Sequence, residues 1–374
     1  MKFSSLQENL KQGLFIAGHL TGKNQNLPIL NNVLIEAKQG NIKLVSTNLE
    51  IGISCVVRGK VDQEGSFTVD AKILADYINL LPNQKIDIGL NNNSLTITCD
   101  SYNTKVKGQS AEDFPLIPVV ERGNFCKVPV HQFRKALNQV VFAVSTNETR
   151  VELTGVLFNL NNKELVLAAT DSYRLAEKKI GVKESTIESA SVIVPAKTIQ
   201  EVVRIISGTK EDVAGETEDV EVYIYENQIL FVYGSTEVVS RLIEGQYPDY
   251  RQIIPGQAKT KAIIEQQQIM RAVKASSLFA KTGINDINLD FPKNKGGLVV
   301  SSASGQTGEN IVEVPGKIEG EDNFVVVNYR YLLDGLNTIG GDEVVFEVVD
   351  GNTPCLLRPA DSSDYLYIVM PIKQ

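Results

Sequence analysis

A chain of 374 residues and 41.0 kDa exceeds a single hydrophobic core, so two or three domains are expected. Hydrophobic residues at 43% and charged residues at 22% exclude a disordered chain, and no apolar run approaches the roughly 20 residues of a membrane helix. The net charge of −8 argues against an ordinary DNA binder, unless basic residues are segregated or retention needs no tight contact.

The N-terminus, Met1-Lys2-Phe3, runs into a helical pattern with Leu6, Leu10 and Leu14 on one face. It lacks the apolar core and cleavage site of a signal peptide, so a cytoplasmic location is expected. VLIEAKQGNIKLVSTN (33–48) then reads as strand, tight turn, strand, and FTVDAKILADYINLL (67–81) as a strand entering an amphipathic helix. KIDIGLNNNSLTITCD (85–100) completes the segment as a hairpin. The second segment repeats this order. A helix with Phe133, Leu137, Val140 and Val141 precedes VLFNLNNKELVLAATD (156–171), VIVPAKTIQEVVRII (192–206) and VEVYIYENQILFVYGS (220–235). In the third, a helix with Ile269, Val273 and Leu278 precedes INLDFPKNKGGLVVSSA (287–303), FVVVNYRYLLDGLNTI (324–339) and EVVFEVVDGNTPCLLRP (343–359).

The chain is therefore written three times, with Leu34 to Thr47, Leu157 to Thr170 and Leu289 to Ser302 spanning equal intervals. The expected fold class is α+β, with three similar domains of paired helices packed on antiparallel sheets: residues 1–124, 125–255 and 256–374. The helical windows carry Lys11, Lys72, Arg134, Lys135, Lys197, Arg204, Arg271, Lys274, Lys281 and Arg330 against Glu8, Asp76, Glu201, Glu265 and Asp334. They are net basic in a net acidic chain. Twelve such helices from two chains, spaced roughly 10 Å apart, would leave a hole of roughly 28 Å, enough for a hydrated duplex. A ring is held on DNA by topology and needs no base-specific contact.

Catalysis has little support. His19 and His131 show no obvious carboxylate or nucleophile partner, and Walker, Rossmann, zinc and nucleophile-elbow patterns are missing. Asp171 suits a turn after a strand. Cys55, Cys99, Cys126 and Cys355 are scattered and read as buried thiols, so no metal or cofactor is expected.

At LPILNNVLIEA (27–37), TNLEIG (47–52), ATDSYRLA (169–176), YPDYRQIIP (247–255) and IVMPIK (368–373), the whole chain resembles the bacterial sliding clamp, the beta subunit of DNA polymerase III. The resemblance implies a non-enzymatic, head-to-tail homodimeric ring around duplex DNA. Its partners would be the polymerase III catalytic subunit, a clamp loader and other clients bearing short linear peptides. It implies a peptide pocket of Leu153, Thr170, Ser172, Tyr173, Arg174, Leu175, Pro248, Gln252, Ile253, Pro354, Ile368, Val369, Met370, Pro371 and Ile372. Leu175, Ile253, Val369 and Met370 would form apolar walls while Arg174 orients the peptide. Ser172-Tyr173 and Gln252 depart from the family's frequent Gly-His and arginine, and Tyr173 would narrow the cleft. The resemblance also points Lys23 and Arg150 at DNA phosphates. Lys72, Arg134, Lys197, Arg204 and Arg271 would join them on the helices. Leu278 and Phe279 would anchor the dimer. A competing reading is a peptide-binding scaffold that never encircles DNA.

Overall fold

The period-2 runs of Val, Ile and Leu form strands, and every strand pair among the described residues is antiparallel. The computed structural model describes residues 1–22, 26–208, 218–293 and 295–373. Lys23 lies outside them.

Two compact units cut across the three sequence repeats. Met1–Arg134, Val182–Glu188 and Lys197–Leu242 form the first, and Lys135–Gly181, Ser189–Ala196 and Ile243–Gln374 the second. A 14-stranded sheet runs through the first unit and a 12-stranded sheet through the second. The cause is strand pairing. An unpaired strand edge leaves a row of N–H and C=O groups unsatisfied. The last strand of the second repeat, Thr236–Arg241, pairs with Ile51–Val57 of the first, placing Val239 opposite Gly52. The last strand of the third, Tyr365–Val369, pairs with Arg174–Gly181 of the second, placing Ile368 opposite Leu175.

Six α-helices lie among the described residues: α1 (Gln7–Ala17), α2 (Ala71–Leu80), α3 (Val130–Val141), α4 (Ala196–Gly208), α5 (Gln266–Ser277) and α6 (Tyr329–Ile339). None is long and apolar enough to cross a membrane. Caps fix two starts: Asp70 accepts from Ile73 N at 2.8 Å, and Asn328 from Arg330 N at 2.9 Å. In the first unit α1 lies so close to the sheet that a Cβ on Gly13 would sit 2.5 Å from Val57 Cγ2. Glycine is required there by close approach, at the cost of some helix propensity.

Each unit also joins two repeats through a buried glutamine. Gln12 Nε2 donates to Gly208 O at the end of α4 (3.0 Å), and Gln139 Nε2 to Thr338 O at the end of α6 (2.8 Å). Both satisfy carbonyls that a helix C-terminus leaves unpaired. The cores are aromatic and aliphatic, with Phe3 and Phe231 fully buried in the first unit and Phe158, Phe346 and Tyr367 in the second. Each such side chain stabilises by about 1.5–3 kcal/mol. The four cysteines are buried, and burial pushes the Cys55, Cys126 and Cys355 thiols up to about 12.

Candidate functional site

In the second unit the residues expected at the peptide site gather around the tight turn at 170–174. Thr170 Oγ1 donates to Arg174 O (2.6 Å) and accepts from Ser172 N (3.1 Å). Asp171 Oδ1 accepts from Tyr173 N (2.9 Å) and Arg174 N (3.0 Å), so this carboxylate does turn duty. Ser172 sits at φ 78°, a conformation that favours glycine.

Arg174 opens the strand after the turn, its side chain only 12% exposed. Its Nε meets Asp171 Oδ2 at 2.9 Å, Nη1 meets Asp334 Oδ2 at 2.5 Å, and Nη2 donates to Phe142 O at 2.9 Å. The guanidinium also lies 4.9 Å over the Tyr331 ring and 5.4 Å over Phe142. Burial works against its charge, but Tyr367, Asp171 and Asp334 outweigh it and hold the group above its ordinary pKa. The sequence suggested an arginine facing a bound peptide. The geometry makes it first a brace, tying the turn to α6 through Asp334, an acid that sequence alone leaves on the solvated helix face.

Leu175 and Ile368 are fully buried in a cluster with Leu157, Ile193, Tyr250 and Leu366, and Met370, Ile254 and Tyr247 pack against its margin. Leu153 and Val369 are buried as well. Leu175 and Val369, expected as walls, therefore lie beneath the surface. The accessible apolar rim is Ile253 and Tyr173, with Met370, Pro248, Pro354, Pro371 and Ile372 half-buried. Met370 N donates to Tyr173 O at 2.8 Å, which holds those two together. Tyr173 is 62% exposed, its ring stacked at 15° to Tyr331 with centroids 6.3 Å apart. Gln252 is exposed and donates to Asp249 (2.9 Å), whereas Ile372 N reaches Val326 O (2.8 Å).

Three residues missed by sequence reasoning hold the segment over this sheet. Tyr247 Oη accepts from Thr170 N (3.1 Å), and Tyr250 Oη donates to the buried Glu177 Oε2 (2.5 Å). The tyrosines of YPDYRQIIP were the available signal; Glu177, 73 positions from Tyr250, carried none.

Of the expected DNA contacts, Lys72, Lys197 and Arg271 are exposed on α2, α4 and α5, and Arg134 is half-buried on α3. Arg204 corrects the expectation of a free helix face. It binds Glu201 (2.9 Å) and the carbonyls of Phe15 (2.8 Å) and Ile16 (3.0 Å) at the end of α1. His19 Nδ1 lies 2.6 Å from Glu201 Oε1, so this histidine does have a carboxylate partner, 182 positions away. Arg150 is bound to Glu152 (3.1 Å) and Ser172 Oγ (3.2 Å), beside the cleft turn. Among the described residues, no group of three or more His, Cys, Asp or Glu side chains is placed to hold a metal ion.

Leu278 is 73% exposed and Phe279 partly exposed just past α5. The Phe279 ring comes within 3.9 Å of a Cβ built on Gly308, the first residue of strand Gly308–Gly320. Residues 308–315 pair with Gly297–Ser304 on one side and with no strand on the other among the described residues. In the first unit, residues 102–107 of strand Tyr102–Gln109 are likewise paired only with Ser94–Cys99.

The DNA polymerase III beta subunit family matches this chain in three parts: its N-terminal domain over residues 1–118, central domain over 127–249 and C-terminal domain over 251–373. The beta sliding clamp of Staphylococcus epidermidis is 30% identical over 357 residues, covering 93% of this chain and 92% of that protein. That of Synechocystis sp. is 28% identical, covering 100% and 99%. Among solved structures, the Bacillus subtilis DNA polymerase sliding clamp has a TM-score of 0.93 at 26% identity, covering 100% of this chain and 99% of that one. A Pseudomonas aeruginosa sliding clamp bound to griselimycin also gives 0.93 at 26%, with both chains covered fully. The chain belongs to the DNA polymerase III beta subunit family, the bacterial sliding clamps.

Proposed function

We propose that two copies of this chain close head to tail around duplex DNA and confer processivity on the polymerase III catalytic subunit. A clamp loader places the ring, and clients dock short peptides at the cleft around Tyr173, Ile253 and Met370. Exposed Lys72, Lys197 and Arg271 supply weak, sequence-independent attraction for phosphates. The three repeats, 1–124, 125–255 and 256–374, are the domains of the ring.

The strand register carries this reading. Gly52 stands opposite Val239 at one internal junction and Leu175 opposite Ile368 at the other. The hairpin pairs Thr47↔Gly52, Thr170↔Leu175 and Ser302↔Asn310 make Asn310 the third-repeat counterpart of Gly52 and Leu175. Likewise Thr96↔Lys105, Leu230↔Val239 and Leu356↔Ile368 make Lys105 the first-repeat counterpart of Val239 and Ile368. The two unpaired edges are thus the two halves of a third junction of the same kind. Between copies, Asn310 would stand opposite Lys105 and Ile311 opposite Thr104. That pairing covers the exposed side chains of Ile311 and Tyr102 and puts Leu278 and Phe279 at its end.

The test is native mass together with retention on DNA. Wild-type protein should run at twice the 41.0 kDa chain mass, stay on closed circular DNA and leave when the circle is cut. Ile311→Asp should give single chains that are not retained. A folded monomer that binds peptide and treats circular and linear DNA alike would establish the peptide-binding scaffold instead.

A further inference from the structure

The turn that carries the peptide cleft occurs a second time, atom for atom, in the first unit. Thr47 Oγ1 donates to Ile51 O (2.9 Å) and accepts from Leu49 N (3.0 Å). Asn48 Oδ1 accepts from Glu50 N (3.1 Å) and Ile51 N (2.8 Å). Leu49 sits at φ 75°, matching Ser172 at 78°.

A cavity of about 390 Å³ opens beside this first-unit turn. By the registers above, its linings Thr47, Leu49, Ile51 and Gly52 take the places of Thr170, Ser172, Arg174 and Leu175. Val239, Ser240 and Arg241 take those of Ile368, Val369 and Met370. Glu50, Gln228 and the segment at 116–118 complete the lining, and the segment lies beside its turn as Tyr247, Tyr250 and Ile254 lie beside the turn of the second unit.

This wall belongs to no helix or strand, follows Pro115 and contains Pro118. Leu116 and Val119 are 95% and 93% exposed. Among the described residues, the backbone N–H groups of Leu116, Ile117, Val119 and Val120 donate no hydrogen bond. Ile117 rests on Gly52, where a Cβ would come within 2.8 Å of it, so the missing side chain at position 52 is what admits the wall. Glu50 and Arg241 replace Tyr173 and Met370 side by side, with Arg241 N bound to Glu50 O at 3.1 Å. One anion and one cation leave the rim neutral, so apolar side chains decide what binds.

We propose that this groove is a second peptide-docking site. It takes a short, uncharged, extended peptide, which presents a leucine or phenylalanine side chain to Leu49, Val239 and Leu116. The peptide's backbone pairs with the open N–H groups of Leu116 and Ile117. The proposal rests on the client-cleft reading, of which this groove is the repeat-related copy.

The test is a titration of the full-length protein with a synthetic heptapeptide of serine and glutamine carrying two leucines and one phenylalanine. Methyl NMR reads Leu49, Leu116 and Val239 for one groove and Ile253 and Met370 for the other. Two separable binding events per chain are expected. Leu49→Ser with Leu116→Ser, both exposed positions, should weaken only the first-unit event, by about tenfold or more. Met370→Ala should weaken only the other. Shifts confined to Ile253 and Met370 would overturn the second site and leave the client cleft standing. Shifts confined to Leu49, Leu116 and Val239 would do the reverse, and shifts at neither would overturn both.

Discussion

The turns at 47–51 and 170–174 share the hydrogen bonds that their Thr and Asn or Asp side chains make to the backbone, yet the two units secure them by opposite means. In the first unit the fifth and sixth positions are Ile51 and Gly52, buried among apolar groups and covered by Ile117. In the second they are Arg174 and Leu175, and the arginine ties its turn to Asp171, Asp334 and Phe142 O. The Thr-Asx network therefore sets the backbone, and the residues that follow decide how one repeat is fastened to the next. An apolar joint tolerates loss of shape in proportion to the volume removed. An ionic joint leaves charges stranded.

The sharpest way to break that comparison is Arg174→Ala. It strands the mostly buried Asp171 carboxylate and the Phe142 carbonyl, and should cost about 3 kcal/mol in the second unit. Arg174→Lys keeps the charge but loses the fork, and should recover only part of this. Ile51→Ala should cost about 2–4 kcal/mol through the cavity it leaves. Denaturant unfolding measures all three. A cost below about 1 kcal/mol for Arg174→Ala would reduce the brace to an ordinary surface pair.

Next in size is Tyr250→Phe. In the second unit the covering segment is held by the Tyr250 hydroxyl on Glu177, whereas in the first the corresponding segment buries its own Phe114 and Val120 and contains no tyrosine. Burial and then Glu177 raise the Tyr250 pKa above 10.0, with Arg251 opposing. A raised folded-state pKa means that the contribution is complete at neutral pH and is lost as pH climbs through and beyond the ordinary value of about 10. Tyr250→Phe should cost about 2 kcal/mol at neutral pH, because buried Glu177 loses its donor, and should flatten this alkaline decline. Hydrogen exchange at 247–254, compared with 110–122 as pH is raised, reads the difference. Equal acceleration of both segments in wild-type and mutant protein would remove the tyrosine from the account.

How much of this was legible beforehand depends on the range of the interaction. Hairpins and helices follow from apolar periods of 2 and 3.6 over a few residues, and the repeat is visible because VLIEAKQGNIKLVSTN and VLFNLNNKELVLAATD keep one spacing. The turn was legible for the same reason, since Thr-Asn and Thr-Asp bond their own neighbours. Arg174 was singled out through resemblance, but its partners Phe142 and Asp334, 32 and 160 positions away, were not. His19 and Glu201 pair across two repeats, and neither bears a mark of the other. The division into two units was hidden for a related reason. A strand's composition shows which face is buried, not which edge finds a partner.

The smallest effect tests the comparison at its most local point. Leu49 and Ser172 both occupy the left-handed region, which costs a non-glycine residue about 1–2 kcal/mol. Glycine relieves that strain but loses about 0.5–1 kcal/mol through the freer unfolded chain. Ser172→Gly also removes the hydroxyl that accepts from Arg150, so it should leave stability nearly unchanged. Leu49→Gly removes a side chain that is 49% exposed, so relief should win by about 0.5 kcal/mol. The same change should weaken peptide binding in the first-unit groove, because Leu49 is one of its walls. A variant more stable yet poorer at binding would mean that this leucine is held in a strained position for the groove. If Leu49→Gly instead destabilises the protein, the side chain is packing its own unit, and the groove offers a ligand less than its lining suggests.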